Sequence, residues 1–171
     1  MENAKIFSFN DKESNENDVK ASVEIFEEMD GSYENYVWPS APVLANYIWQ
    51  RRDFIRNKTV LEIGAGTGLP GILCAKIGAK LVYLADKSSS NNSSRSKSIE
   101  KNGVGFNTIC LDINWGRVAR ELTTVLRTID VILASDCFYE KEDFDDVLFT
   151  IALLLNSYPK AECWCSQQRR W

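Results

Sequence analysis

The chain has 171 residues, 44% hydrophobic and 26% charged, which suits one soluble domain with a single core. A formal net charge of -4 argues against a general electrostatic grip on nucleic-acid backbones, and the absence of histidine excludes Ser-His and Cys-His nucleophile chemistry. Five irregularly spaced cysteines read as reduced thiols with no four-thiolate metal site; with no apolar leader and no run of about 18 apolar residues, the expected place is inside the cell, in cytoplasm or nucleus, away from membranes.

Residues 1–20 are polar and acidic and read as a flexible leader with a short strand at Lys5 to Phe9; residues 21–171 read as the folded domain. Ser22 to Glu27 alternates as an exposed strand does, and Asp30-Gly31-Ser32 makes a turn. Ser40-Ala41-Pro42 reads as a helix cap with proline in the first turn, after which Val43, Leu44, Tyr47 and Ile48 fall on one helical face. Arg51, Arg52, Arg56 and Lys58 read as a solvated basic face.

From Thr59 the rhythm becomes strand, glycine turn, helix, strand, the pattern of a doubly wound, mostly parallel α/β sheet. Strands are predicted at 58–63, 80–85, 106–111, 129–135 and 161–166, with helices at 68–78, about 90–101, 116–127 and 142–157. The helix at about 90–101 is weakly written, because Ser88 to Ser98 carries no apolar stripe before Ile99, and a loop is the other reading.

The strongest local signal is Val60-Leu61-Glu62-Ile63-Gly64-Ala65-Gly66-Thr67-Gly68-Leu69-Pro70-Gly71, an apolar strand entering a glycine turn that opens a helix. Gly66-x-Gly68-x-x-Gly71 also fits a dinucleotide loop, and Asp86 follows 18 residues after Gly68, where a ribose-binding acid belongs. Two residues favour a different ligand. Glu62 ends a buried strand and needs a partner, which a cationic ligand such as S-adenosylmethionine supplies and a pyrophosphate does not. Pro70 removes a backbone N–H from the helix turn where phosphate binding recruits donors. Asp86 serves either nucleoside, while Asp112 and Trp115, just after the third strand of this sheet, are expected over the adenine edge and face; a plain core aromatic is the other reading of Trp115.

These residues resemble the seven-stranded S-adenosylmethionine-dependent methyltransferases, and among them the methyltransferase-like protein lysine and arginine methyltransferases of family 16. The resemblance is carried by Tyr36-Val37-Trp38-Pro39-Ser40-Ala41, by the glycine loop, and by Ile132-Leu133-Ala134-Ser135-Asp136-Cys137-Phe138-Tyr139-Glu140. It implies a Rossmann-like fold, S-adenosyl-L-methionine as cofactor and a protein substrate methylated on a side-chain nitrogen of arginine or lysine. Trp38, Glu62, Gly64, Gly66, Gly68, Asp86, Asp112, Trp115 and Ser135 are then expected at the cofactor, and Asp136 with Tyr139 at the target side chain. A helix-capping carboxylate is the other reading of Asp136.

The family sheet ends in a two-stranded hairpin, whereas this sequence stops soon after Cys163-Trp164-Cys165-Ser166, so a sheet lacking its last two strands is expected. A shortened, inactive binding or regulatory form is therefore one alternative. A nicotinamide-dependent oxidoreductase is another, disfavoured by Glu62, by Pro70 and by the lack of a catalytic domain.

Overall fold

The structure is a computed structural model that describes residues 2–11, 20–28, 35–87, 93–116, 123 and 125–169. β1 (Glu2–Phe9) and β2 (Ala21–Glu28) pair antiparallel, with Lys5 opposite Ile25 and Phe9 opposite Ala21. β1 thus begins at Glu2, earlier than its alternation suggests. The ribbon buries Phe9, Val23 and Ile25, and the Phe9 ring meets Trp49 at 6.0 Å. The turn read at Asp30-Gly31-Ser32 lies outside the described residues.

α1 (Ser40–Gln50) starts one position earlier than a Ser40 cap requires: Pro39 is the N-cap and no side chain caps the helix. Its buried face is Ala41, Leu44, Ala45, Ile48 and Trp49, while Val43 (64% exposed) and Tyr47 (40%) point outward. The small alanines let the helix press close on that side, which rotates the stripe away from the expected Val43–Tyr47 face. A short helix, α2 (Arg52–Ile55), follows.

The main sheet comprises β3 (Thr59–Ile63), β4 (Leu81–Asp86), β5 (Thr108–Asp112), β6 (Val131–Ser135) and β7 (Glu162–Ser166), all parallel, in the order β5-β4-β3-β6-β7. β3 and β6 are buried almost throughout, as continuous apolar runs in the middle of a parallel sheet must be. One core joins α1 and α3 (Leu69–Lys76) to one face; the other, built on Leu61, Ile63 and Ile132, takes Val147 and Leu154 of α5 (Phe144–Ser157). Every strand overlaps its predicted span.

The polar run after Asp86 does form a helix, α4 (Ser93–Lys101). Hydrogen bonds dock it in place of an apolar stripe. Ser94 Oγ donates to Glu28 Oε1 at 2.6 Å, Ser98 Oγ accepts from Phe26 N at 2.9 Å, and Asn102 Nδ2 donates to the Glu24 carbonyl at 2.7 Å. The helix predicted at 116–127 falls largely outside the described residues. Among the described residues no helix is long and apolar enough to cross a membrane.

The chain runs from β3 outward through β4 to β5, then returns to the other side of β3 as β6. The strand order reverses at the carboxyl ends of β3 and β6, where ligands of open α/β sheets bind.

Candidate functional site

The loop after β3 turns through three left-handed glycines, Gly64 (φ +60°), Gly66 (+51°) and Gly68 (+81°), conformations that cost an L side chain 1–2 kcal/mol or so. At Gly64 a Cβ would also meet Cys137 Sγ at 3.0 Å and Trp115 Cζ2 at 3.2 Å, so glycine lets the loop pack close against both side chains. Gly68 has a different task. It caps α3 and sits against Leu84, beneath the loop.

Glu62 is 1% exposed and its Oε2 accepts the Gly71 N–H at 2.8 Å. Burial pushes its carboxyl up to about 8, against the pull of that hydrogen bond and of the Arg95 guanidinium. The sequence leaves Glu62 wanting a partner; the fold supplies part of one from the helix it precedes, through a glycine with no room for a Cβ between Leu84 and the carboxylate. Asp86, at the end of β4, accepts Gly66 N–H at 2.5 Å on Oδ2 and Lys87 N–H at 2.7 Å on Oδ1.

These bonds bear on which ligand the loop can hold. Gly66 N–H is bound to Asp86, Gly68 N–H to the Ala65 carbonyl, Gly71 N–H to Glu62 and Ile72 N–H to the Gly68 carbonyl, while Pro70 has none to give. A loop and helix start with these donors engaged, a proline among them and an acidic side chain beneath, offers a pyrophosphate little.

Two separate pockets lie at the carboxyl ends of the strands and make the two lobes of the candidate site. A cavity of about 330 Å³ is lined by Asp86, Lys87, Ile113, Asn114, Trp115, Tyr139, Asp143 and Asp146. A recess of about 30 Å³ is lined by residues including Tyr36, Trp38, Glu62, Gly64, Gly66 and Ser135. The fold thus brings Asp86, Trp115 and Tyr139 to one lobe and Trp38, Glu62, Gly64, Gly66 and Ser135 to the other. Trp115 and Tyr139 meet edge to face at 6.1 Å, and Tyr36 and Trp38 do so at 5.3 Å. The Tyr139 hydroxyl is held above its usual range, first by burial and then by the nearby Asp86 charge.

Two expected residues sit elsewhere. Asp112 is exposed at the end of β5, opposite Asp86 in register, and Ile113 and Asn114 line the cavity in its place. Asp136 is buried, lines neither lobe, and does not cap α5, whose N-cap is Asp143. Its backbone is left-handed (φ +52°), its N–H donates to the Ser166 carbonyl at 2.9 Å, and its Oδ1 accepts Gln168 N–H at 3.0 Å. Gln167 Nε2 adds a bond to the Phe138 carbonyl at 3.0 Å. Asp136 therefore joins the end of β6 to the segment that leaves β7.

Sequence reasoning missed Arg95. It is 0% exposed, its Nε donates to the Gly66 carbonyl at 2.6 Å, and its Nη2 stands 3.7 Å from Asp86 Oδ2. An arginine in a run of serines and asparagines carries no sign that it will be buried. Only its spacing from Ser94 and Ser98, on the face that α4 buries, hints at it.

Residues 17–171 match the lysine methyltransferase family. Among curated relatives, the Xenopus laevis histone-arginine methyltransferase METTL23 is 44% identical over 88% of this chain and 64% of that protein. The Homo sapiens histone-arginine methyltransferase METTL23 is 42% identical over 79% of this chain and 70% of its own length. The chain therefore spans a little under two thirds of the Xenopus protein. Among solved structures, an S-adenosylmethionine-dependent methyltransferase from Agrobacterium tumefaciens superposes with a TM-score of 0.66 at 16% identity, over 86% of this chain and 51% of that one, a likeness of fold.

Proposed function

The chain belongs to the lysine methyltransferase family, and from that premise we propose that it transfers a methyl group from S-adenosylmethionine to a side-chain nitrogen of a protein. The observation that carries this reading is the buried Glu62 carboxyl beneath a glycine loop whose Gly66, Gly68 and Gly71 N–H groups are already engaged. Such a site suits a cation, which draws off the carboxyl's proton and pairs with the carboxylate left behind, and it offers a phosphate few donors. When bound, the cofactor supplies an electrophilic methyl carried on a sulfonium.

The chain's own residues divide the binding between the two lobes. Asp86 presents two carboxylate oxygens to ribose hydroxyls, and Trp115 presents its face to adenine in the larger cavity. Glu62 faces the ammonium of the amino-acid end, in the recess that Tyr36 and Trp38 also line. Methyl transfer to nitrogen needs a lone pair held close to the reacting carbon, so positioning supplies much of the rate. Asp143 and Asp146 add negative charge to that cavity, which favours a cationic cofactor. Asp136 acts on the acceptor side by fixing the backbone between β6 and Gln168. The relatives named for arginine methylation make a basic, arginine-bearing segment the first substrate to test.

The test incubates the full chain with radiolabelled S-adenosylmethionine and a cell extract, comparing wild type, Glu62→Ala and Asp136→Ala. Label in protein with wild type and its loss in both variants is expected. Equal labelling by all three refutes the assignment.

A further inference from the structure

β7 is an edge strand, paired only with β6 among the described residues. Its two cysteines, Cys163 and Cys165, alternate with Trp164 and so fall on the same side of the strand. Trp164 packs into the core with α1, whereas Cys163 lies against the core on the α5 face. Cys165 is exposed, Cys163 is half-buried, and their sulfurs stand 3.7 Å apart. The other cysteines are arranged differently. Cys74 and Cys137 are buried, and Cys110 is a half-buried thiol whose pKa is raised, first by burial.

We propose that Cys163 and Cys165 form a chelating dithiol that binds a thiophilic centre, of which trivalent arsenic is the test case, through both sulfurs at once. Geometry favours a bridging atom over a direct bond. Alternate Cα atoms of a strand are ~6.4–6.8 Å apart, the upper limit of what a disulfide spans, and its sulfurs would have to close to about 2.05 Å. Two bonds of about 2.3 Å, by contrast, span the observed 3.7 Å with an angle of about 107° at the central atom, near the tetrahedral value, with little movement of either side chain. Two sulfurs make an open chelate and not a closed structural metal site, in keeping with the absence of any three-ligand cluster among the described residues.

The pair also activates itself. A hydrogen bond from Cys163 brings the Cys165 thiol down to about 7 and holds Cys163 well above its usual range, so Cys165 supplies a thiolate near neutral pH. The dithiol stands on the strand whose next residue, Ser166, donates from Oγ to the Ser40 carbonyl at 3.0 Å, beside the recess lined by Ser135.

Phenylarsine oxide is the probe. The two thiols give up their protons, both sulfurs bond to arsenic, and the oxide oxygen leaves as one water with no change in oxidation state. Intact-mass spectrometry of the full chain is expected to show one phenylarsenic group on wild type and on Cys110→Ser, reversed by ethanedithiol. The adduct is expected to fall from one to none in Cys163→Ser, Cys165→Ser and Cys165→Ala, with circular dichroism showing each variant folded. An adduct that survives loss of either cysteine, or a wild type that takes none, overturns the proposal.

Discussion

Replacing Glu62 with glutamine separates what the carboxylate costs the fold from what it does for the ligand. The side chain is 1% exposed, and burial lifts its carboxyl from an ordinary 4.5 to about 8. Between those two values the folded chain holds a proton that the unfolded chain has lost, so stability falls as pH rises through the window. From pH 5.5 to 7.5 the loss from this one group is about 2.5 kcal/mol. Glutamine has no proton to take up and keeps an acceptor for the Gly71 N–H now 2.8 Å away. Urea unfolding at several pH values is the assay, with wild type and Glu62→Gln measured side by side so that other carboxylates cancel. The stability difference is expected to shift toward the variant by about 2.5 kcal/mol across this range. A difference that stays flat, or moves toward wild type, refutes the reasoning.

Arg95→Met removes the guanidinium from between the Gly66 carbonyl and Asp86, and an unfolding free energy lower by about 3–5 kcal/mol in urea is expected, with Arg95→Lys recovering part. Trp115→Ala is expected to weaken S-adenosylhomocysteine binding about tenfold by calorimetry, the loss of one stacking surface of ~1–1.5 kcal/mol, with little change in Tm because the ring is half-buried. Gly64→Ala places a Cβ at φ +60° against Cys137 and Trp115, and should cost about 1–2 kcal/mol of stability as well as cofactor affinity.

The sheet was legible because its inner strands are buried on both faces, which forces continuous apolar runs such as Val60 to Ile63 and Val131 to Ala134. The glycine loop was legible because backbone conformation selects glycine directly. What escaped depends on partners far along the chain. α1 is rotated because Ala41 and Ala45 allow a closer approach than the larger Val43 and Tyr47 suggest. α4 is held by serine and asparagine bonds to the β2 backbone, so no hydrophobic period marks it. Arg95 is buried because the carbonyl of Gly66 and the carboxylate of Asp86 converge on it, and neither convergence can be read from local sequence. Asp136 was legible as a special residue but not in its place, because its partner Gln168 follows a different strand.

The most direct test of a cation meeting Glu62 is calorimetry of S-adenosylmethionine binding at pH 7 in buffers of different ionisation enthalpy. With the free carboxyl near 8, about 0.9 proton should be released per cofactor bound by wild type, and none by Glu62→Gln. Wild-type binding with no proton released, or binding of NAD in preference to S-adenosylmethionine, would contradict it.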